Sequence, residues 1–456
     1  MASNSSSMRR LGWGTVIEET HRRAFELAAV RETPAFFFSR ERLDHAISTF
    51  NSFMAELPFS VETYYSYKTN YLPALCEHVE AAGFGAEVTS LLEWELATAI
   101  TPPSRIVVNG IGKQAGLLEA VLNSAPPRLI NIETDTEVDH IAKRKPDAAP
   151  VSVGLRVTVP GLSGESGRDP SVHWRRGPSK FGWMANGTAI IQTATKLAAF
   201  PAVRLQALHL HLGGQLVSPA VYERALAAGC RLLERLRQNG VSITTLDMGG
   251  GLASGWVTKH RVGPLFELLR TVGVPTPGRP QRAPDLQGVS AVFIRFADRL
   301  RSLGIKQLVV EPGRFVAEPS MLAVASVIAV RHDGRRRHAV IDLGTNALHC
   351  WRQDETRPIS FETGRAPRSG GQHRYELVGP LCHRSDTLGT VTTSAPLRPG
   401  MKVCLDAVGA YSLGDWVANA WHRPPVFDLE DGSILWDRQT TPQFWAPATS
   451  PAEPLP

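Results

Sequence analysis

Eight short apolar segments, each the length of one buried strand, recur along the first two thirds of this chain. They are "YYSYK" (64–68), "AEVTS" (86–90), "IVVN" (106–109), "LINI" (129–132), "VGLRV" (153–157), "LHLHL" (208–212), "TLDMG" (245–249) and "LVVEP" (308–312). Most of the gaps carry a helical pattern, as in "LPALCEHVEAAG", "SLLEWELATAI" and "SPAVYERALAAGCRLLERLRQNG". Ser90 with Glu93 has the spacing of a capping box, and Asn239-Gly240 is a helix stop. Eight strands alternating with helices read as an α/β fold, a (β/α)8 barrel; an open doubly wound sheet is the alternative.

Beyond about residue 315 the helical period fades. Short alternating segments such as "LAVASVIAV", "HAVIDL", "YELVGP" and "KVCLDAVGAY" follow, a second, all-β domain over 315–440. The segment "TPAFFFS" reads as a strand, within 33–44, that joins this domain ahead of the 45–314 barrel. Residues 1–32 read as a flexible lead-in and 441–456 as a Pro-rich tail. The stretch 252–290 is an insertion after the seventh strand, and it is either a cover for the site or inert.

Composition narrows the function. With 43% hydrophobic and 20% charged residues, the chain has the means for a sizeable core. No apolar run reaches the length of a membrane span, and the start lacks a secretory signal, so a cytoplasmic protein is expected. The five cysteines are scattered without a CxxC pair, against a disulfide framework or a zinc site. The densest basic run, "RHDGRRRH", surrounds Asp333-Gly334 between two apolar runs and reads as a hairpin turn, not as a nucleic-acid surface.

In a barrel, chemistry gathers at the C-terminal strand ends. Lys68 closes the first strand and Glu87 lies in the second. Arg156 is in the fifth, His209 and His211 in the sixth. Asp247 and Gly249–Gly251 end the seventh, and "EPGR" (311–314) ends the eighth. Successive glycines let backbone N–H groups approach a phosphate with no Cβ in the way. A buried lysine can lose its proton and form a Schiff base. A lysine, a phosphate loop and an acid for a ring nitrogen together point to pyridoxal 5'-phosphate.

The order of motifs resembles the fold-type III pyridoxal-phosphate decarboxylases, the group of ornithine, arginine and diaminopimelate decarboxylases, from about residue 33 to 425. "YYSYKTN" is similar to their Tyr-x-Val-Lys-Ala-Asn, "HLHLGGQ" to His-x-Gly-Ser-Gln, "LDMGGGLA" to the phosphate loop and "EPGR" to the motif of the ring-nitrogen acid. "VGPLCHRSD" and "GAYS" resemble the last two motifs. The resemblance implies that Lys68 carries the cofactor, His211 stacks on its ring and Glu311 binds the ring nitrogen. Arg156 would lie near the ring hydroxyl with Glu87 as its charge partner. Gly249, Gly250, Gly251, Gly313, Arg314 and Tyr411 would hold or flank the phosphate. Cys382 would donate a proton to the substrate carbon from the second subunit of a homodimer with shared sites. Arg314, His383, Arg384, Asp386 and Tyr411 would face the amino-acid substrate.

The sequence departs from the family at three points. His383 and Arg384 follow the cysteine where the family places an acid for the distal ammonium, so the expected substrate is not a simple free diamino acid. Gly214 replaces a serine, and the insertion 252–290 follows the phosphate loop. A racemase on the same fold and an inactive regulatory homologue are the competing readings. Glu311 favours the decarboxylase over the racemase, and the retained lysine, cysteine and glycine loop count against the regulator.

Overall fold

The structure is a computed structural model. It describes residues 13–113, 115–145, 147–159, 162, 180–259, 279–280, 282–334, 336–348, 355–362 and 372–443. Eight parallel strands form a closed ring: Ser60–Ser66, Gly85–Val88, Ile106–Val108, Leu129–Ile132, Val151–Thr158, Val203–His209, Thr245–Asp247 and Gln307–Val310. Each pairs with the next, and Gln307–Val310 pairs back onto Ser60–Ser66. The chain is therefore a (β/α)8 barrel, and the closed ring excludes the open sheet.

The strand sequences set the layers inside the ring. Tyr64, Val107, Leu129, Ala207 and Val309 pack together as one apolar layer. Side chains alternate across a strand, so a step of two residues keeps the same face. That step leads to Ser66, Asn109, Asn131, His209 and Glu311, a polar layer directly above the apolar one. The helices close around the outside. Ser90 accepts from Glu93 N–H at 3.3 Å, and Thr134 with Glu137 forms a reciprocal capping box. Pro219–Gln238 starts on a Ser218 cap and stops before Gly240, whose φ of +77° a side chain would resist.

The second domain is a sheet built on Met321–Asp333, which pairs antiparallel with Ala35–Phe38, Arg336–Ile341 and Lys402–Leu405. Ala35–Phe38 also pairs in parallel with Val426–Asp428. Every residue of "AFFF" is buried. Burying each phenylalanine contributes roughly 1.5–3 kcal/mol, which is why an N-terminal strand belongs to a C-terminal sheet. The basic run forms the expected hairpin, with Gly334 at φ +57°.

Two expectations need correction. The lead-in is not wholly flexible, because Gly14–Val30 is a helix whose Ala24 and Ala28 pack on Phe37, Leu322 and Val324. Small residues on one face let it lie close to the sheet. The insertion is shorter than expected, because the helix Leu286–Ser302 already begins inside 252–290. Its flanks Thr258–Lys259 and Arg279–Pro280 pair with each other, Thr258–Lys259 also pairs with Glu355–Thr356 in a small sheet, and 260–278 lie outside the described residues. Among the described residues, no helix is long and apolar enough to cross a membrane.

A buried ion pair joins the parts. Arg42, fully buried, reaches Asp406 Oδ1 at 2.5 Å through Nη1 and Thr20 Oγ1 at 2.8 Å through Nε. His21 Nε2 lies 2.7 Å from Asp406 Oδ2. Burial disfavours the Asp406 carboxylate, but Arg42 and His21 outweigh it and hold its pKa below the usual range. Arg42→Ala leaves that charge buried and should cost about 3–5 kcal/mol in denaturant unfolding. A loss under about 1 kcal/mol would show that the pair does not hold the two domains together.

Candidate active site

The first barrel strand ends at Ser66, and Lys68 stands in the single 3-10 turn Tyr67–Thr69 that follows. This corrects the picture of a lysine closing the strand itself. Tyr65 and Tyr67 bury their rings below the turn, and Tyr65 Oη donates to Asn70 O at 2.9 Å. Tyr411 N–H donates to Thr69 O at 2.7 Å, and Asn70 Nδ2 donates to Gly409 O at 2.8 Å. The turn is thereby fixed from below by the barrel and from the side by the second domain.

Lys68 Nζ points into the barrel mouth. It lies 2.6 Å from Glu87 Oε2 and 2.8 Å from Ser66 Oγ, with the side chain 38% exposed. Glu87 is wholly buried. Burial opposes the charge on Lys68, but Glu87, then Glu311 and Tyr411, outweigh it and raise its pKa. Burial likewise opposes the Glu87 carboxylate, but Lys68, Ser66 and Asn109 hold its pKa below the ordinary value. Glu87 therefore serves Lys68. The expected partnership of Glu87 with Arg156 is not found. Arg156 Nη1 instead meets Glu133 Oε1 at 3.2 Å, and its guanidinium lies over Phe181 at 4.3 Å. The reason is position: Glu133 directly follows the strand beside that of Arg156.

A continuous hydrogen-bonded ring leads on from Glu87. Asn109 Nδ2 donates to Glu87 Oε1 at 2.9 Å and to Glu311 Oε1 at 2.7 Å. Asn131 Nδ2 donates to Asn109 Oδ1 at 2.9 Å and to Asp247 Oδ2 at 2.7 Å. Asp247 and Glu311 are hydrogen-bonded to each other. Burial and neighbouring carboxylates push both up, Asp247 to about 6 and Glu311 well above its ordinary range. His209 Nε2 is 3.8 Å from Glu311 Oε2, and both its ring nitrogens are buried without a hydrogen-bond partner among the described residues. His211 stands edge-on to His209 at 6.0 Å between centroids, and burial pulls its pKa down to about 3, so its ring is neutral. Asn109, Asn131 and Glu133 were not singled out from the sequence. A lone polar residue in or just after an apolar strand is the feature that would have found them.

The glycine triplet follows Asp247, whose Oδ1 accepts from Gly249 N–H at 2.8 Å. Gly249 has φ +61°, and a Cβ there would sit 2.6 Å from His211 Nδ1. A Cβ on Gly250 would overlap the Glu311 carbonyl oxygen. The loop is thus pressed against both the histidine and the acid, and only glycine fits. Gly313 is likewise closed against Thr69. Arg314 pairs with Glu318 at 2.8 Å and Glu355 at 2.9 Å, and lies 5.1 Å from the ring centroid of Tyr411. Tyr411 itself has φ +63°, a backbone conformation that a bulky residue adopts only under constraint. Gly214, in place of serine, faces open space.

Cys382, His383 and Arg384 are exposed on the bend after strand His373–Val378. Their loop is fixed by Asp386, which is buried and accepts from Thr345 N–H at 2.7 Å, Thr345 Oγ1 at 3.0 Å and Leu381 N–H at 2.8 Å. The expected role for Asp386 as a contact for a substrate cation does not match this geometry, since its oxygens are committed to Thr345 and Leu381.

Residues 43–318 match the family described as "Pyridoxal-dependent decarboxylase, pyridoxal binding domain". The chain belongs to the pyridoxal-dependent decarboxylases. It is 25% identical to a diaminopimelate decarboxylase of Vibrio cholerae over 434 residues, covering 92% of this chain and 94% of that one. Its fold is similar to that of diaminopimelate decarboxylase from Helicobacter pylori, solved with L-lysine, at TM-score 0.75 and 19% identity over 93% and 99% of the two chains. A lysine/ornithine decarboxylase from Vibrio vulnificus, solved with putrescine, superposes at TM-score 0.68 and 18% identity over 91% and 98%.

The enzyme is a carboxy-lyase with pyridoxal 5'-phosphate as cofactor. The residues present fit that group. A buried acid held above its ordinary range suits a basic ring nitrogen, which would share its proton. The neutral His211 offers a flat uncharged ring, and the glycine loop leaves room that any Cβ would fill. His209, His211 and Glu311 bring ligand atoms within 4.8 Å of one another and could also take a cation, but that would consume the acid the ring nitrogen needs. Glu87→Gln keeps the shape and removes the charge that holds Lys68 protonated. The pH at which pyridoxal captures Lys68 should then move acidward by roughly 1–3 units, read by borohydride trapping across pH. An unchanged profile would mean that Glu87 does not control the lysine.

Proposed function

We propose that this decarboxylase acts on an α-amino acid, or a conjugate of one, whose far end is not a free ammonium ion. One observation carries the reading. The loop that would meet the far end of the substrate presents His383 and Arg384, and its one acid, Asp386, is committed to Thr345 and Leu381. A neutral or cationic pair cannot hold an ammonium as a carboxylate does, but suits a carboxylate or an acylated amine. The relatives named above for diaminopimelate, lysine and ornithine make the free diamino acids the comparison to test.

When bound, the cofactor supplies an aldehyde for amines and a ring that accepts the electron pair left by carbon dioxide. The chain's own residues do the rest. Glu87 Oε2, 2.6 Å away, holds Lys68 Nζ in place, and the lysine becomes a nucleophile once it has shed its proton. His211 fixes the plane of the ring. Glu311 supplies a proton to the ring nitrogen, and Asp247, hydrogen-bonded beside it, steadies the remaining charge through Gly249 N–H and Asn131. Gly249–Gly251 and Arg314 serve the phosphate end. Cys382, brought from a second copy of the chain, returns a proton to the substrate carbon.

Carbon dioxide release is measured over free diaminopimelate, lysine and ornithine, their acylated forms and acidic amino acids of both hands. The highest kcat/KM should fall outside the free diamino acids; comparable activity on free lysine, ornithine or diaminopimelate would overturn the substrate reading. Mixing inactive Lys68→Ala and Cys382→Ala chains should restore activity, since a heterodimer then holds one whole site. No restoration would place the site within one chain.

A further inference from the structure

Arg314 and Gln215 already grip an anion, and it comes from the chain itself. Glu355 Oε2 lies 2.9 Å from Arg314 Nη1, and Glu355 Oε1 accepts from Gln215 Nε2 at 3.3 Å. The Glu355 side chain is 2% exposed and that of Arg314 7%, so the contact is shielded from water. Charge-assisted hydrogen bonds are strongest in such surroundings. The two donors come from different parts of the rim. Gln215 follows His211, and Arg314 follows Glu311.

The acid is held in place by its backbone. Glu355–Thr356 pairs with Thr258–Lys259, which in turn pairs with Arg279–Pro280. These two pairs flank the segment that follows the glycine triplet, so the position of Glu355 is tied to the insertion. Gln215 is also constrained: its φ is +59°, and the next residue is locked by Leu216 N–H to Gly251 O at 2.8 Å and Ala253 N–H to Leu216 O at 3.0 Å. This pairing sets Gln215 beside the phosphate loop.

The arginines at this end of the site already face carboxylates. Arg314 and Arg357 share Glu318, and Glu355 is the second carboxylate. Arg314 is thus shared between two carboxylates, Glu318 and Glu355, and an arriving phosphate does not meet it as a bare cation. Burial works against the Arg314 cation, yet Glu318 and Glu355 raise its pKa, so the guanidinium stays charged whichever anion it holds.

We propose that Glu355 is an internal anion occupying the phosphate end of the cofactor site, and that the cofactor's phosphate binds by displacing it from Arg314. Loading of the cofactor is then opposed by Glu355 and coupled to the small sheet at the base of the insertion. The proposal rests on the assignment of Arg314 to the phosphate end.

The test uses the full-length protein freed of cofactor. It is titrated with pyridoxal phosphate and with pyridoxal, which lacks the phosphate, following absorbance of the Lys68-bound chromophore. Glu355→Gln should tighten pyridoxal phosphate about tenfold and leave pyridoxal within about twofold. Inorganic phosphate should also raise the melting temperature of Glu355→Gln more than that of the wild type. Should Glu355→Gln not fold, Glu355→Asp, which withdraws the carboxylate by one methylene, should shift the ratio of the two affinities in the same direction. An equal change for both ligands, or weaker binding of pyridoxal phosphate, would overturn the proposal while leaving the cofactor assignment intact. No Lys68 adduct with either ligand in either protein would overturn the cofactor assignment and this proposal with it.

Discussion

The contact between Lys68 Nζ and Glu87 Oε2, 2.6 Å long at the floor of the barrel mouth, is the interaction on which the rest of the site depends. A lysine at a buried site with no carboxylate beside it would lose its charge or leave the site. Glu87 prevents both, and it can do so because Ser66 and Asn109 also donate to it. The same Asn109 amide holds Glu311, so the partner of Lys68 and the second buried acid are positioned by one side chain. Gly154 completes the arrangement from the neighbouring strand, since any side chain there would strike Asn131. A polar layer of this kind is costly unless every member is satisfied. The exceptions among its members, Asn131 Oδ1 and the two nitrogens of His209, lie beside the groups that would meet the cofactor.

The second domain is part of the same device. Its Tyr411 N–H and Gly409 carbonyl fasten the lysine turn. Glu318, at the junction of the domains, accepts from Arg314, Arg357 and Ser254. The Arg42–Asp406 pair and the strand Ala35–Phe38 bind the two domains from the opposite side. Loosening this joint would change the position of Lys68 and Arg314 as well as lower stability.

How much of this the sequence made legible follows from the range of each interaction. The eight strands were legible because a buried parallel strand is a continuous apolar run, and the ends shifted by only a few residues. Lys68, His211, Glu311 and the glycine triplet were legible because strand ends of a barrel converge. The helix Gly14–Val30 was not, because its packing face is made of Ala24 and Ala28, small residues that leave little apolar signal. The partner of Arg156 was misassigned because pairing across the mouth depends on register. Glu133 and Glu87 are chemically equal in the sequence, and only the strand order puts one beside Arg156. Glu355 lay outside any motif, and its contact with Arg314 spans 41 residues of chain.

On the function proposed above, Lys68 and no other lysine carries the cofactor. Lys113 is a buried lysine near the mouth, but Glu137 and the carbonyls of Gly110 and Asn131 take up its three donors. The direct test is to reduce the cofactor-loaded enzyme with borohydride, digest it and locate the pyridoxyl group by mass spectrometry. A single label on the peptide containing Lys68 is the predicted result. A label on Lys113 or another lysine, or none on a protein that retains the cofactor, would contradict it.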